Sequence, residues 1–135
     1  MKKLIVSISL VVLCLSTSIV FSQTTFTGAI SNDWAEAGNW DNGLPAMGND
    51  ATIPAGLTVA VSDILLVDFT LDNYGTISNY GTIGNYNDGT IYNGGTIENY
   101  GNINNDGIII NDGIIINDGI INNFGYIDNY GYIDN

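Results

Sequence analysis

The chain has 135 residues with fourteen acids and two lysines, no arginine or histidine, and a formal net charge of −12. Two lysines against fourteen acids cannot neutralise a run of phosphates, which excludes nucleic acid and anionic membrane surfaces as partners. Its length suits one domain.

Met1–Ser22 reads as a secretory signal peptide. Lys2 and Lys3 supply the positive start, Leu4 to Leu15 the apolar run, and Val20-Phe21-Ser22 a small-residue cleavage site before Gln23. Ser16, Thr17 and Ser18 cut the apolar run short of a membrane span, so none is expected after cleavage. Cys14 follows Leu13, the wrong neighbour for a lipoprotein cysteine. Cleavage removes the one cysteine and both lysines, leaving 113 of the 135 residues and moving the formal charge from −12 to −14. The expected location is secreted, extracellular or at the outer cell surface, and the exported chain must be held by packing without disulfides.

The same loss bears on chemistry. With no His, Cys, Lys or Arg left, Ser-His and Cys-His nucleophiles, Lys Schiff bases and His-bearing zinc sites are unavailable. A carboxylate-pair glycosidase survives on composition, but aspartates at turn spacing are explained by the turn. We therefore expect no enzyme, no catalytic residue, no cofactor and no metal.

Gln23–Asp72 is irregular and ends in apolar stretches at Ala51–Ile53, Leu57–Val61 and Ile64–Leu71, which read as strands. Its motifs are Phe26-Thr27-Gly28, Asp33-Trp34, Asn39-Trp40, Gly43-Leu44-Pro45 and Asp50-Ala51-Thr52-Ile53-Pro54-Ala55-Gly56. This stretch resembles the module that opens many secreted, repeat-bearing proteins of Bacteroidetes, with Phe26 where a Trp is usual. The resemblance implies a cell-surface or extracellular protein with a β-helix after the module, and no particular activity. Trp34 and Trp40 are expected to anchor a small core, and the segment to cap the first coil of that β-helix.

From Asn73 to Asn135 the chain repeats Asn-x-Gly-x-Ile-x ten times, broken once by two residues taken as Asn85 and Tyr86. A six-residue period points to a parallel β-helix. Six is even, and alternate residues of a strand face opposite ways, so every copy returns its isoleucine to one side. The isoleucines at 77, 83, 91, 97, 103, 109, 115, 121, 127 and 133 are all odd-numbered, and the two-residue break preserves that parity. The expected fold is all-β: a parallel β-solenoid of about ten hexapeptides behind an irregular β N-terminal cap. Three hexapeptides per coil are preferred over two. The left-handed hexapeptide helix of acyltransferases is similar in placing an aliphatic residue and, four positions on, a small one, here Ile77 and Gly81. Asn and Gly tolerate left-handed backbone and so suit a repeated corner. Stacked corner asparagines are expected to hydrogen-bond along the axis.

Parity also assigns the exterior. Tyr74, Tyr80, Tyr86, Tyr92, Tyr100, Tyr126, Tyr130, Tyr132 and Phe124 are even-numbered and should face outward. Outward rings offer contact area at small entropic loss, which makes Tyr74, Tyr80, Tyr100, Tyr126, Tyr130 and Tyr132 candidates for contact with glycans or other surface proteins. Ile108, Ile110, Ile114, Ile116 and Ile120 give the NDGIII block an apolar exterior, a candidate self-association surface. The chain reaches Asn135 in full rhythm, so the last coil is expected either to continue or to meet another molecule through its open edge. Asp88, Asp106, Asp112 and Asp118 could suit calcium, but Asn-Asp-Gly turns explain them. Thr76, Thr82, Thr90 and Thr96 suggest an ice-binding array that the later copies do not sustain. The function expected is a secreted or cell-surface structural, adhesin-like protein without catalytic activity. A carbohydrate-binding module working through tyrosine rows is the alternative, and ice binding a further one.

Overall fold

The computed structural model describes residues 22–135, so apart from Ser22 the proposed signal peptide lies outside the described residues. A first strand, β1 (Ser22–Thr25), precedes the coils. The first coil holds β2 (Asn49–Ile53), β3 (Thr58–Val61) and β4 (Ile64–Val67), and the second β5 (Thr70–Asn73), β6 (Thr76–Asn79) and β7 (Thr82–Asn85). The third holds β8 (Thr90–Asn93), β9 (Thr96–Asn99) and β10 (Asn102–Asn105), and the fourth β11 (Ile108–Asn111), β12 (Ile114–Asn117) and β13 (Ile120–Asn123). β14 (Tyr126–Asn129) and β15 (Tyr132–Asp134) begin a fifth.

All strand pairs are parallel, and they form three sheets of six, five and four strands. The chain is thus a three-sided β-solenoid with three hexapeptides per coil, the alternative preferred over two. Partners Ile91 and Ile109, or Ile97 and Ile115, lie eighteen residues apart. The coil is already in register before the repeat becomes legible, since Val59 pairs with Ile77 and Leu65 with Ile83.

The six-residue motif makes this shape because each part has one task. Thr-Ile or Ile-Ile forms a short strand, as β-branched residues suit a pleated surface. The isoleucine points in, and Asn-x-Gly turns the chain toward the next face. Ile77, Ile83, Ile91, Ile97, Ile103, Ile109 and Ile115 are at most 2 % exposed. Ile121, Ile127 and Ile133 are half-buried, because no later coil of the described chain covers them.

Two expectations need correction. The repeat glycines are not left-handed: positive φ occurs at Gly28, Gly43, Gly48, Gly56 and Asn87, none of them a corner glycine of the repeat. Their requirement is close approach. A Cβ on Gly101 would meet the carbonyl oxygen of Gly81 in the coil below, and one on Gly113 that of Gly95. Second, the break in the repeat is not Asn85-Tyr86. Asn85 keeps the buried corner seat and donates to Asn105, while Tyr86, Asn87 and Asp88 form the exposed bulge, with Asn87 at φ 50°.

The corner asparagines form three axial ladders, buried from Asn73 to Asn111 and open to solvent toward Asn123, Asn129 and Asn135. In one, Asn73 Nδ2 donates to Asn93 Oδ1 at 2.7 Å, Asn93 to Asn111 at 2.7 Å, and Asn111 to Asn129 at 2.7 Å. The others run Asn79, Asn99, Asn117, Asn135 and Asn85, Asn105, Asn123. Each of the inner amides also donates to a backbone carbonyl of the next coil, as Asn93 does to Ile114 at 3.0 Å. The ladders start on aliphatic seats, Ile53, Val61 and Val67, so the Oδ1 atoms of Asn73, Asn79 and Asn85 have no donor among the described residues.

The segment between β1 and β2 closes the first coil. Trp34 N donates to Ala60 O and Ala60 N to Asn32 O, which pairs this segment with β3. Residues 39–41 return against 25–27, with Thr27 N bonded to Asn39 O and Asp41 N to Thr25 O, so the outer edge of β1 is occupied. Trp34 and Trp40 are buried core anchors: their rings meet edge-on at 4.7 Å, Trp40 meets Phe26 at 5.2 Å, and Trp34 stacks over Phe69 at 6.4 Å. Trp40 Nε1 donates to Trp34 O at 2.9 Å, which leaves the buried indole N–H satisfied.

Candidate functional site: outer faces and corners

Register decides which outward side chains become neighbours, because residues one coil apart sit about 4.8 Å apart along the axis. The candidate tyrosines divide over several columns. Tyr74 and Tyr130 share one corner but are separated there by Gly94 and Asp112, each corner N–H bonding the coil below. Tyr80 and Tyr100 are adjacent at the next corner, with Asp118 above them. Tyr126 lies on the six-stranded face above Ile108, and Tyr132 on the five-stranded face above Ile114. Tyr74, Tyr80, Tyr100, Tyr126, Tyr130 and Tyr132 are all exposed.

The Tyr80 and Tyr100 rings stack at 5.2 Å and 9°. Each therefore covers one face of the other, and both residues remain exposed. Beneath it Ser78 Oγ donates to Glu98 Oε2 at 3.0 Å. The Glu98 carboxylate, foremost, pushes the Tyr100 hydroxyl above its ordinary pKa, with smaller contributions from burial, Tyr80 and Asp118.

The outward isoleucines are not one patch. Ile108 and Ile110 lie on the six-stranded face, Ile114 and Ile116 on the five-stranded face and Ile120 on the four-stranded face. They make a belt around the fourth coil. Register scatters the other groups in the same way. Thr76 and Thr96 share a column on the five-stranded face, Thr90 lies on the six-stranded face and Thr82 on the four-stranded one. Asp88 and Asp106 border one corner, while Asp112 and Asp118 sit at the other two. Among the described residues no three acids come close enough to hold a metal.

Two features escaped sequence reasoning. An open recess of about 630 Å³ lies between the cap and the bulge, lined by Met47, Phe69, Asp50, Asp68, Asn87 and Asp88. The break in the repeat was its one visible signal. Beside this region Asp72 stands on the six-stranded face, its carboxyl raised above the ordinary value by burial first and then by Asp50. The second feature is Tyr86, which unlike the other tyrosines folds back onto Gly84 of the four-stranded face.

No protein-family model, curated protein or solved structure matches this chain.

Proposed function

We propose that this is a secreted or cell-surface structural protein of adhesin-like type, without catalytic activity. What supports the reading is how the residues are used. In every copy Asn, Gly and Ile are committed to ladder, corner and core, so variation is confined to outward positions on a stiff rod. Tyr, Thr, Asn, Ile and acids fill most of those positions, with Ser78, Gly84, Gly94 and Phe124 among the rest, a set that suits contact rather than chemistry. Partners are glycans or other surface proteins. The proposal includes self-association through the outward isoleucines of the fourth coil, of which Ile108, Ile114, Ile116 and Ile120 are exposed.

The location is tested by antibody labelling and protease shaving of intact cells that express the whole chain. The protein is expected at the surface or in the medium, and retention in the cytosol overturns the reading. Sedimentation of the exported chain over a wide concentration range tests self-association, which a monomer throughout refutes.

Carbohydrate binding is the second reading, favoured by the exposed Tyr80–Tyr100 pair. Glycan-array binding lost on Tyr80→Ala or Tyr100→Ala supports it; binding that survives both refutes a site at that corner.

A further inference from the structure

The three faces differ in charge. Outward strand positions of the six-stranded face carry Asp50, Asp72 and Asp128, and those of the five-stranded face carry Glu98 and Asp134. The four-stranded face carries no acid in either outward column. One column reads Ile64, Thr82, Asn102, Ile120 and the other Leu66, Gly84, Asn104, Asn122. Acids return at its two borders, Asp63 and Asp118 along one and Asp68, Asp88 and Asp106 along the other.

Inside this uncharged strip one ring and several amides are gathered. Gly84 leaves a notch directly below Asn104, and the Tyr86 ring fills it, with Cζ 2.9 Å and Oη 3.0 Å from where a Cβ would stand. The Cε2–Cζ–Oη side of the ring thus lies against the sheet, and the residue stays 36 % exposed. This differs from Tyr80 and Tyr100, which cover each other. Directly above, Asn122 Nδ2 donates to Asn104 Oδ1 at 3.0 Å. That leaves the Asn104 amide N–H groups, the Asn122 Oδ1 and the whole Asn102 amide without a partner among the described residues. A primary amide both donates and accepts, as adjacent sugar hydroxyls do, and an exposed ring supplies an apolar surface for the C–H face of a pyranose.

We infer that the four-stranded face binds an uncharged, extended polysaccharide lying along the solenoid axis, with Tyr86 against one pyranose and Asn102, Asn104 and Asn122 bonding hydroxyls further on. From Gly84 to Asn122 is two coil steps, about 10 Å, so the ligand spans more than one sugar unit. The ligand is uncharged because the bordering aspartates repel carboxylate- or sulfate-bearing chains, while the strip itself holds no charge to pair with a cation. The inference rests on the carbohydrate reading above but moves the site from a corner to a face.

The test is affinity electrophoresis and titration calorimetry of the exported chain, residues 23–135. The neutral probes are laminarin, hydroxyethylcellulose, galactomannan and dextran, with alginate as the charged comparison. Binding to at least one neutral probe and none to alginate is expected. Tyr86→Ala and Asn104→Asp are each expected to weaken binding about tenfold, and Tyr92→Ala, an exposed ring on the six-stranded face, to leave it unchanged. Unchanged binding in both face variants, with loss in Tyr80→Ala, overturns this inference and leaves the broader carbohydrate reading standing. No binding to any neutral probe overturns both. Asn122→Asp, at an exposed position near the open end, carries the test should Tyr86→Ala fail to fold.

Discussion

Asn93→Ala removes a middle rung of a buried ladder. Asn93 accepts from Asn73 Nδ2 at 2.7 Å and donates to Asn111 Oδ1 at 2.7 Å and Ile114 O at 3.0 Å. Asn73, Asn93 and Asn111 are each at most 1 % exposed, so water cannot replace what is lost. Stranding the Asn111 oxygen costs about 1–3 kcal/mol, and the two other bonds about 1 kcal/mol each, for a total of about 3–5 kcal/mol. Asn73 Nδ2 keeps its bond to Thr96 O at 3.0 Å, which bounds the loss on that side. The control is Asn129→Ala at the exposed top of the same ladder, where the expected cost is below about 1 kcal/mol. Urea unfolding followed by far-UV circular dichroism measures both, as a drop in midpoint at constant slope. Should the two variants unfold at the same urea concentration, the ladder is not what holds the coils in register.

Gly101→Ala should cost about 3 kcal/mol or more, because its Cβ meets backbone of the coil below, which has no room to move. Gly94→Ala, whose Cβ would find Tyr74 Cδ1 at 3.4 Å, should change stability by less than about 1 kcal/mol; equal melting temperatures for the two refute close approach as the reason for the corner glycine. Ile97→Ala in the middle of the core should lose about 2–5 kcal/mol and half-buried Ile127→Ala distinctly less, as denaturant midpoints will show. The Asp72 carboxyl is raised from 3.8, so the folded chain holds that proton more tightly than the unfolded chain. Its effect is therefore to lower stability as pH rises through the interval between 3.8 and the raised folded value, and to keep it lowered above. Thermal melts from pH 3.5 to 7 should decline more steeply for the native chain than for Asp72→Asn, and parallel profiles would refute the assignment.

Much of this architecture was legible because a period of six obeys strand parity. Ile77 through Ile133 had to share one side whatever the coil shape, and the asparagines had to stack on their own kind. Gly101 and its equivalents were legible as corners but not in their reason, since their φ is ordinary and the obstacle lies in a residue eighteen or twenty positions away. The bulge was visible as an interruption, yet its place depended on which asparagine kept the buried seat. Asn85 and Asn87 look alike in the sequence, and only Asn85 lies beneath Asn105.

The outward surface was legible as a set of residues and not as an arrangement. Parity said that Tyr80, Tyr100, Ile108, Ile114 and Ile120 face out. It could not say that the first two touch while the last three point to three different sides. Nor could it show that one face is free of acids or that Tyr86 lies down upon Gly84. Sequence by itself determined what is inside and what is outside, because that depends on alternation along one strand. Tertiary structure decided which outside residues are neighbours, because that depends on how many residues close a coil and where the corners fall.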